Sequence, residues 1–260
     1  MATLNPQFRL DGRHVFISGA AGHFGCAIAH ALSQAGAHLI LNGRNESRLK
    51  ALAADFPSAE CAAFDVADFA AVRAFFAARS RLDVIINNAI SMTPKPREAL
   101  TAEDFEQTYR SSVTAAFEIS RAALPALQRA VAENGDASII NIASMYAAVA
   151  PDARIYANPD QASPFHYGPA KAALLQLTRH LAADLGPLRI RVNALVPGPF
   201  PRPQVQSADP AFAARLAAKT MLGRLGEAHE IAGPVQFLAS PASSFVTGST
   251  LCVDGGWTAW

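Results

Sequence analysis

Short apolar runs alternate along this chain with stretches in which apolar residues recur every three or four positions. The runs predict strands at 14–18, 38–42, 60–64, 84–87, 138–142, 189–195 and 250–253. Several are apolar almost throughout, the pattern of strands buried on both faces of a parallel sheet. Helical periodicity fills the intervals at 24–35, 46–55, 69–78, 102–129, 167–184 and 227–239. In the fifth of these, Leu174, Leu177, Leu181 and Leu185 form one apolar face. Strand–helix alternation with such short connections predicts an α/β, Rossmann-type doubly wound fold. No repeat, low-complexity tract or linker interrupts it, so one domain is expected over 1–260.

Two segments break the rhythm. The stretch 145–166 is irregular and carries three prolines, and 197–206 carries four more. Long loops in a compact domain are commonly functional. Both precede helices and flank the site proposed below, so 145–166 and 197–222 are read as substrate-facing loops. The alternative is that they are ordinary solvent loops.

Composition narrows the function classes. Lys and Arg total 22 against 21 Asp and Glu among 260 residues, a formal net charge of +1. That balance gives no electrostatic reason to expect nucleic acid or an anionic membrane as partner. No apolar stretch approaches the roughly 20 residues of a spanning helix, and the first residues lack the pattern of a signal peptide. Cys26, Cys61 and Cys252 are scattered without metal-ligand spacing. A reduced, cytoplasmic protein without a metal is expected.

The first predicted strand runs into Ser18-Gly19-Ala20-Ala21-Gly22-His23-Phe24-Gly25, and a helix follows. Glycines here permit a tight turn and a close approach of backbone to a pyrophosphate, whose charge the helix N-terminus favours. An ordinary glycine-rich turn would read the same way. The second strand bears on which dinucleotide: it ends Leu41-Asn42-Gly43-Arg44-Asn45, with no carboxylate for a ribose and an arginine instead. A guanidinium at that point suits a 2′-phosphate, with Arg48 one turn on, so NADP(H) is the expected cofactor. Asn45 is read as the cap of the next helix, with Glu46 in its first turn.

Tyr167-Gly168-Pro169-Ala170-Lys171 opens a predicted helix and sets a phenol and an ammonium four residues apart on one face. A neighbouring cation is expected to lower the tyrosine pKa toward the working range of a general acid/base. Ser144, just after the strand at 138–142, lies at the carboxyl edge of the sheet, where α/β proteins bind ligands.

With these residues in this order, the chain resembles the short-chain dehydrogenase/reductase family along nearly its whole length. The likeness includes the glycine turn, Asp65-Val66, Asn87-Asn88-Ala89, Ser144, Tyr167-x-x-x-Lys171, Pro197-Gly198 and the terminal Val253-Asp254-Gly255-Gly256. The resemblance implies a seven-stranded parallel sheet and a homotetramer or homodimer built through the two long helices. It also implies that Tyr167 protonates a carbonyl oxygen, that Ser144 orients that oxygen, and that Lys171 holds the nicotinamide ribose. Gly19, Gly22, His23, Phe24 and Gly25 would wrap the pyrophosphate, Asp65 and Val66 would meet adenine, and Asn87 and Ala89 the adenosine-side ribose and nearby backbone. Pro197 and Gly198 would meet the nicotinamide.

Three positions depart from the family pattern. His23 stands where a glycine is usual, and so does Ile90, whose β-branch disfavours positive φ. Ser112 takes the place of an asparagine that helps anchor a water in the family's proton relay, and it is kept as a catalytic-site candidate. The loops add Asp152, Arg154, Tyr156, Asn158 and His166, then Arg202, Gln204 and Gln206. This polar set suggests a sugar, sugar acid or polyol-like ketone, and the pattern is similar to gluconate-5-dehydrogenase-like members of the family. Met145, Tyr146, Phe165 and Phe200 would instead line a pocket for a less polar ketone. Reduction of a small-molecule carbonyl, or its reverse, leads. A non-catalytic dinucleotide-binding homologue and a redox-neutral enzyme on the same fold are the alternatives.

Overall fold

The computed structural model describes residues 5–157 and 162–260. Its strands are β1 (His14–Ile17), β2 (His38–Gly43), β3 (Glu60–Ala63), β4 (Val84–Asn87), β5 (Ala137–Ile142), β6 (Ile190–Pro197) and β7 (Thr250–Val253). They form one seven-stranded sheet in the order β3-β2-β1-β4-β5-β6-β7, and every neighbouring pair is parallel. The α-helices are α1 (His23–Gln34), α2 (Glu46–Ala53), α3 (Phe69–Ala77), α4 (Ala102–Tyr109), α5 (Ala115–Asn134), α6 (Tyr167–Leu185), α7 (Pro203–Ala208), α8 (Pro210–Ala218) and α9 (Ala232–Ala239).

Strand pleating divides the core in two. Val15 and Ile17 turn to the face covered by α1, α2 and α9, where Ile28, Leu49 and Val235 meet them. Phe16 turns to the face covered by α3, α5 and α6, where its ring stands edge-on to Phe76 at 5.0 Å. Both faces are buried, which is why these strands read as apolar runs and not as alternations.

The structure differs from the sequence pattern in three places. The helix expected over 102–129 is α4, one π-helical turn at Arg110–Thr114, and α5, which runs on to Asn134 and stops at left-handed Gly135. Within that turn the hydroxyls of Ser111 and Ser112 donate to the Thr108 carbonyl at 3.3 and 2.6 Å, competing with the main-chain ladder. The segment 197–222 is not irregular throughout but holds α7 and α8. Each has proline in its first turn, and Asp209 caps α8 by accepting from Phe212 N at 2.8 Å. The helix expected from 227 begins as a 3-10 turn at Ala228–Ile231 before α9.

The two loops pack on each other. Tyr156 and Phe212 bring their rings to 5.4 Å, Lys219 Nζ reaches Asp152 at 2.6 Å, and Arg215 donates to the Ile155 carbonyl.

Candidate active site

β1 lies between β2 and β4, so the chain leaves neighbouring strands toward opposite faces and opens a crevice at their carboxyl ends. A cleft of about 510 Å³ occupies it, walled by the glycine turn, Arg44, Asp65, Ala89, Tyr167 and Lys171 among others. Gly19 is in the left-handed region at φ +64°, and a Cβ there would come within 3.1 Å of Ala89 Cα. A Cβ on Gly25 would lie 2.4 Å from the Gly19 carbonyl oxygen, so α1 can start this close to the turn only with glycine. The N-cap of α1, Gly22, offers no side chain to its first N–H groups, which leaves them for an anion.

His23 and Ile90 both line this cleft without left-handed backbone, so neither replacement of glycine is strained in the way expected for Ile90. Burial lowers the His23 pKa, and the charge of Arg202 adds to that. Its Nε2 is buried without a hydrogen-bond partner. Phe24 and Gly22 also line the cleft, as do Asp65 and Val66 from the end of β3.

The cleft is cationic. Arg44 Nη1 lies 3.8 Å from Asp65 Oδ2, and Arg48 Nη2 donates to the Ala21 carbonyl at 3.1 Å. Arg202 and Lys171 complete the set. Asp65 is the acidic member of the wall, and one of its oxygens is taken up by Ala67 N at 2.9 Å.

Ser144 follows β5 and Tyr167 opens α6, and these elements bring their hydroxyls together. Burial raises the Tyr167 pKa, and the hydrogen bond with Ser144 opposes that rise. Ser144 Oγ also accepts from Tyr146 N at 3.2 Å. Lys171, one turn further along α6, is 3 % exposed and donates to the Ile142 carbonyl at 2.6 Å. Burial lowers its pKa to about 8. The expected depression of the phenol pKa by the cation is therefore not what the structure gives: Nζ stands 5.9 Å from the ring centre, and desolvation outweighs the Ser144 hydrogen bond. A neutral phenol beside a hydroxyl is a proton donor.

Some expected residues stand elsewhere. Asn87 does not line the cleft; its amide donates to Asn141 Oδ1 at 2.8 Å, and Asn141 donates to Thr178 at 2.9 Å, a buried chain from β4 through β5 to α6. Its neighbour Asn88 lines the cleft and fastens the glycine turn through the Ser18 and Gly19 carbonyls at 3.0 and 3.1 Å. Ser112 is 4 % exposed with its hydroxyl spent on Thr108, whereas Ser111 faces the cleft and accepts from Ser91 N at 3.0 Å. Pro197 and Gly198 lie at the end of β6, where Gly198 N donates to the Val253 carbonyl at 3.0 Å, outside the cleft wall. Asn42 was not expected: its amide clamps the end of β3 through Ala62 and Phe64 while its Oδ1 is buried without a partner in the cleft wall. An asparagine ending an apolar strand was the available signal.

The polar loop residues do not form one cluster. Asp152 is taken by Arg154 and Lys219, and Arg154 projects into solvent. Tyr156 shares a 2.9 Å hydroxyl contact with Tyr146, Gln206 donates to the Pro201 carbonyl, and His166 is buried against Thr108 at 3.1 Å. Arg202 joins the cleft, and Asn158 lies outside the described residues.

Comparison with known proteins agrees with this geometry. The family model described as enoyl-(acyl carrier protein) reductase matches residues 19–258. An uncharacterized oxidoreductase of Mycobacterium tuberculosis is 36% identical, covering 97% of this chain and 94% of that protein. Gluconate 5-dehydrogenase of Gluconobacter oxydans is 33% identical, covering 96% of each. The crystal structure of a gluconate 5-dehydrogenase from Burkholderia cenocepacia, in complex with NADP and tartrate, superposes with a TM-score of 0.83. It is 34% identical and covers 98% of each chain.

Proposed function

The chain belongs to the short-chain dehydrogenase/reductase family, in its gluconate-5-dehydrogenase-like branch, and from that premise we propose that it interconverts a ketone and a secondary alcohol with NADP(H). The observation that carries this reading is the half-buried Tyr167 phenol, hydrogen-bonded to Ser144 and lining with Lys171 a cationic, glycine-floored cleft.

The cleft's own features fit the dinucleotide. The uncapped α1 N-terminus and the space kept by Gly19 and Gly25 suit a pyrophosphate. Arg44 and Arg48 suit a 2′-phosphate, and Asp65 and Val66 border the adenine end. When bound, NADPH supplies the hydride for the carbonyl carbon.

This chain's residues handle the proton. Tyr167, kept neutral by burial, donates its phenolic proton to the carbonyl oxygen and takes a proton back from solvent afterwards. Ser144 orients that oxygen through its hydroxyl. Lys171, still charged below its pKa of about 8, offsets the negative charge left on the phenolate. In the oxidative direction Tyr167 must first lose its proton, so a raised pKa favours reduction at neutral pH.

The substrate in this reading is a sugar, sugar acid or polyol-like ketone. The gluconate 5-dehydrogenases among the relatives support it, and so does the Tyr146–Tyr156 hydroxyl pair, which begins two residues after Ser144. NADPH oxidation measured over ketoses, keto-acids and apolar ketones tests it. Turnover concentrated on polyhydroxylated ketones is expected, and turnover confined to apolar ketones would refute the substrate class.

A further inference from the structure

Of the cleft's cations, three already have work within the protein. Arg44 faces Asp65 at 3.8 Å, Arg48 holds the Ala21 carbonyl, and Lys171 holds the Ile142 carbonyl. Arg202 lines the same cleft, yet among the described residues its guanidinium has neither an ion-pair nor a hydrogen-bond partner. Its charge is felt at the start of α1, where it adds to the burial that lowers the His23 pKa and, with Arg48, opposes the burial that raises that of Cys26.

The backbone that presents Arg202 is anchored to that same helix start. The Phe200 ring stands edge-on to Phe24 at 5.4 Å. It also presses on Gly226, where an added Cβ would lie 2.3 Å from it, and Gly226 N donates to the Pro199 carbonyl at 3.0 Å. Arg202 is in turn the N-cap of α7, its carbonyl accepting from Val205 and Gln206. The following α8 carries Phe212 and Arg215, and with Lys219 just beyond it grips the 145–157 loop. One residue thus joins the dinucleotide cleft to the elements on the substrate side.

We propose that Arg202 is a ligand of the dinucleotide pyrophosphate, facing the α1 N-terminus across it, and that this contact fixes α7 and α8 when the cofactor binds. The assignment rests on the functional reading above and gives it a residue from the 197–222 segment, which sequence alone assigned to the substrate. A planar guanidinium can pair with two phosphate oxygens, so one side chain spans the group that the helix N-terminus holds from its other side. An anionic substrate is the competing claimant for Arg202, but its seat on the cleft wall, near enough for its charge to act on His23 at the start of α1, favours the phosphates.

Equilibrium binding to the full chain separates these roles. Arg202→Gln should weaken NADPH about tenfold, the scale of an exposed charge-assisted contact, while leaving adenosine 2′-phosphate within about twofold of wild type. Arg44→Ala should weaken both ligands. Arg202→Lys should be intermediate for NADPH. NADPH should also slow trypsin cleavage after Arg215 and Lys219 in the wild type and not in Arg202→Gln; Arg202 precedes Pro203, so its loss removes no ordinary trypsin site. Wild-type NADPH affinity in Arg202→Gln overturns the proposal and leaves the functional reading intact. So does equal weakening of both ligands, or normal NADPH binding with a higher KM for acidic substrates alone. A wild-type chain that binds no dinucleotide overturns both.

Discussion

Lys171 Nζ lies 5.9 Å from the centre of the Tyr167 ring while it donates to the Ile142 carbonyl at 2.6 Å. Burial acts on the two groups in opposite senses, lowering the amine to about 8 and raising the phenol. At neutral pH the pair is a cation and a neutral acid, the combination that reduction of a carbonyl requires.

The rate of reduction should therefore fall as pH rises through about 8, when Lys171 loses its charge before the phenol can ionise. A pH profile of kcat with saturating NADPH and ketone checks this. A profile flat to pH 10 would show that the lysine charge is not used.

Stability should show the converse. The unfolded Lys171 keeps its ordinary pKa near 10.5, whereas the folded one titrates near 8, so between these values the unfolded chain binds more protons and stability rises with pH. Below about 8 the buried cation costs the fold on the order of 3 kcal/mol. Lys171→Met should be more stable than wild type at pH 7, by about 1–2 kcal/mol once the orphaned Ile142 carbonyl is counted. The gap should close toward pH 10 in urea titrations.

Arg44→Ala should raise the Kd of NADPH about tenfold and leave that of NADH within about twofold, since the side chain is largely exposed and its contact screened. Equal losses for both cofactors would show that Arg44 does not read the 2′-phosphate.

The sheet was legible because strands such as Val84–Asn87 are buried on both faces and read as continuous apolar runs. The placing of Tyr167 and Lys171 on one helical face was legible because one helical turn fixes their spacing whatever lies around them. What escaped depends on distant parts of the chain. Asn87 turns to Asn141, 54 residues away, and nothing in its neighbourhood announces that amide pair. The π turn at Arg110–Thr114 slips the ladder locally without erasing the apolar period on either side. The α7 and α8 helices are short and proline-started, and their prolines read as loop. The raised phenol pKa follows from desolvation, which spacing does not reveal.

Ser112→Ala should cost about 1 kcal/mol of stability, because its hydroxyl donates to the Thr108 carbonyl inside the helix. Turnover should stay within about threefold of wild type. Thermal unfolding and kcat measured on one preparation separate the two effects. A tenfold loss of kcat in a normally folded variant would return Ser112 to the catalytic set.

The most direct measurement is Tyr167→Phe, which removes one oxygen and preserves the ring. NADPH should bind with a Kd within about threefold of wild type, while kcat for ketone reduction falls by a factor on the order of 100 or more, the scale of a lost general acid. Wild-type turnover in that variant would contradict the assignment of the proton to Tyr167 and, with it, the proposed mechanism.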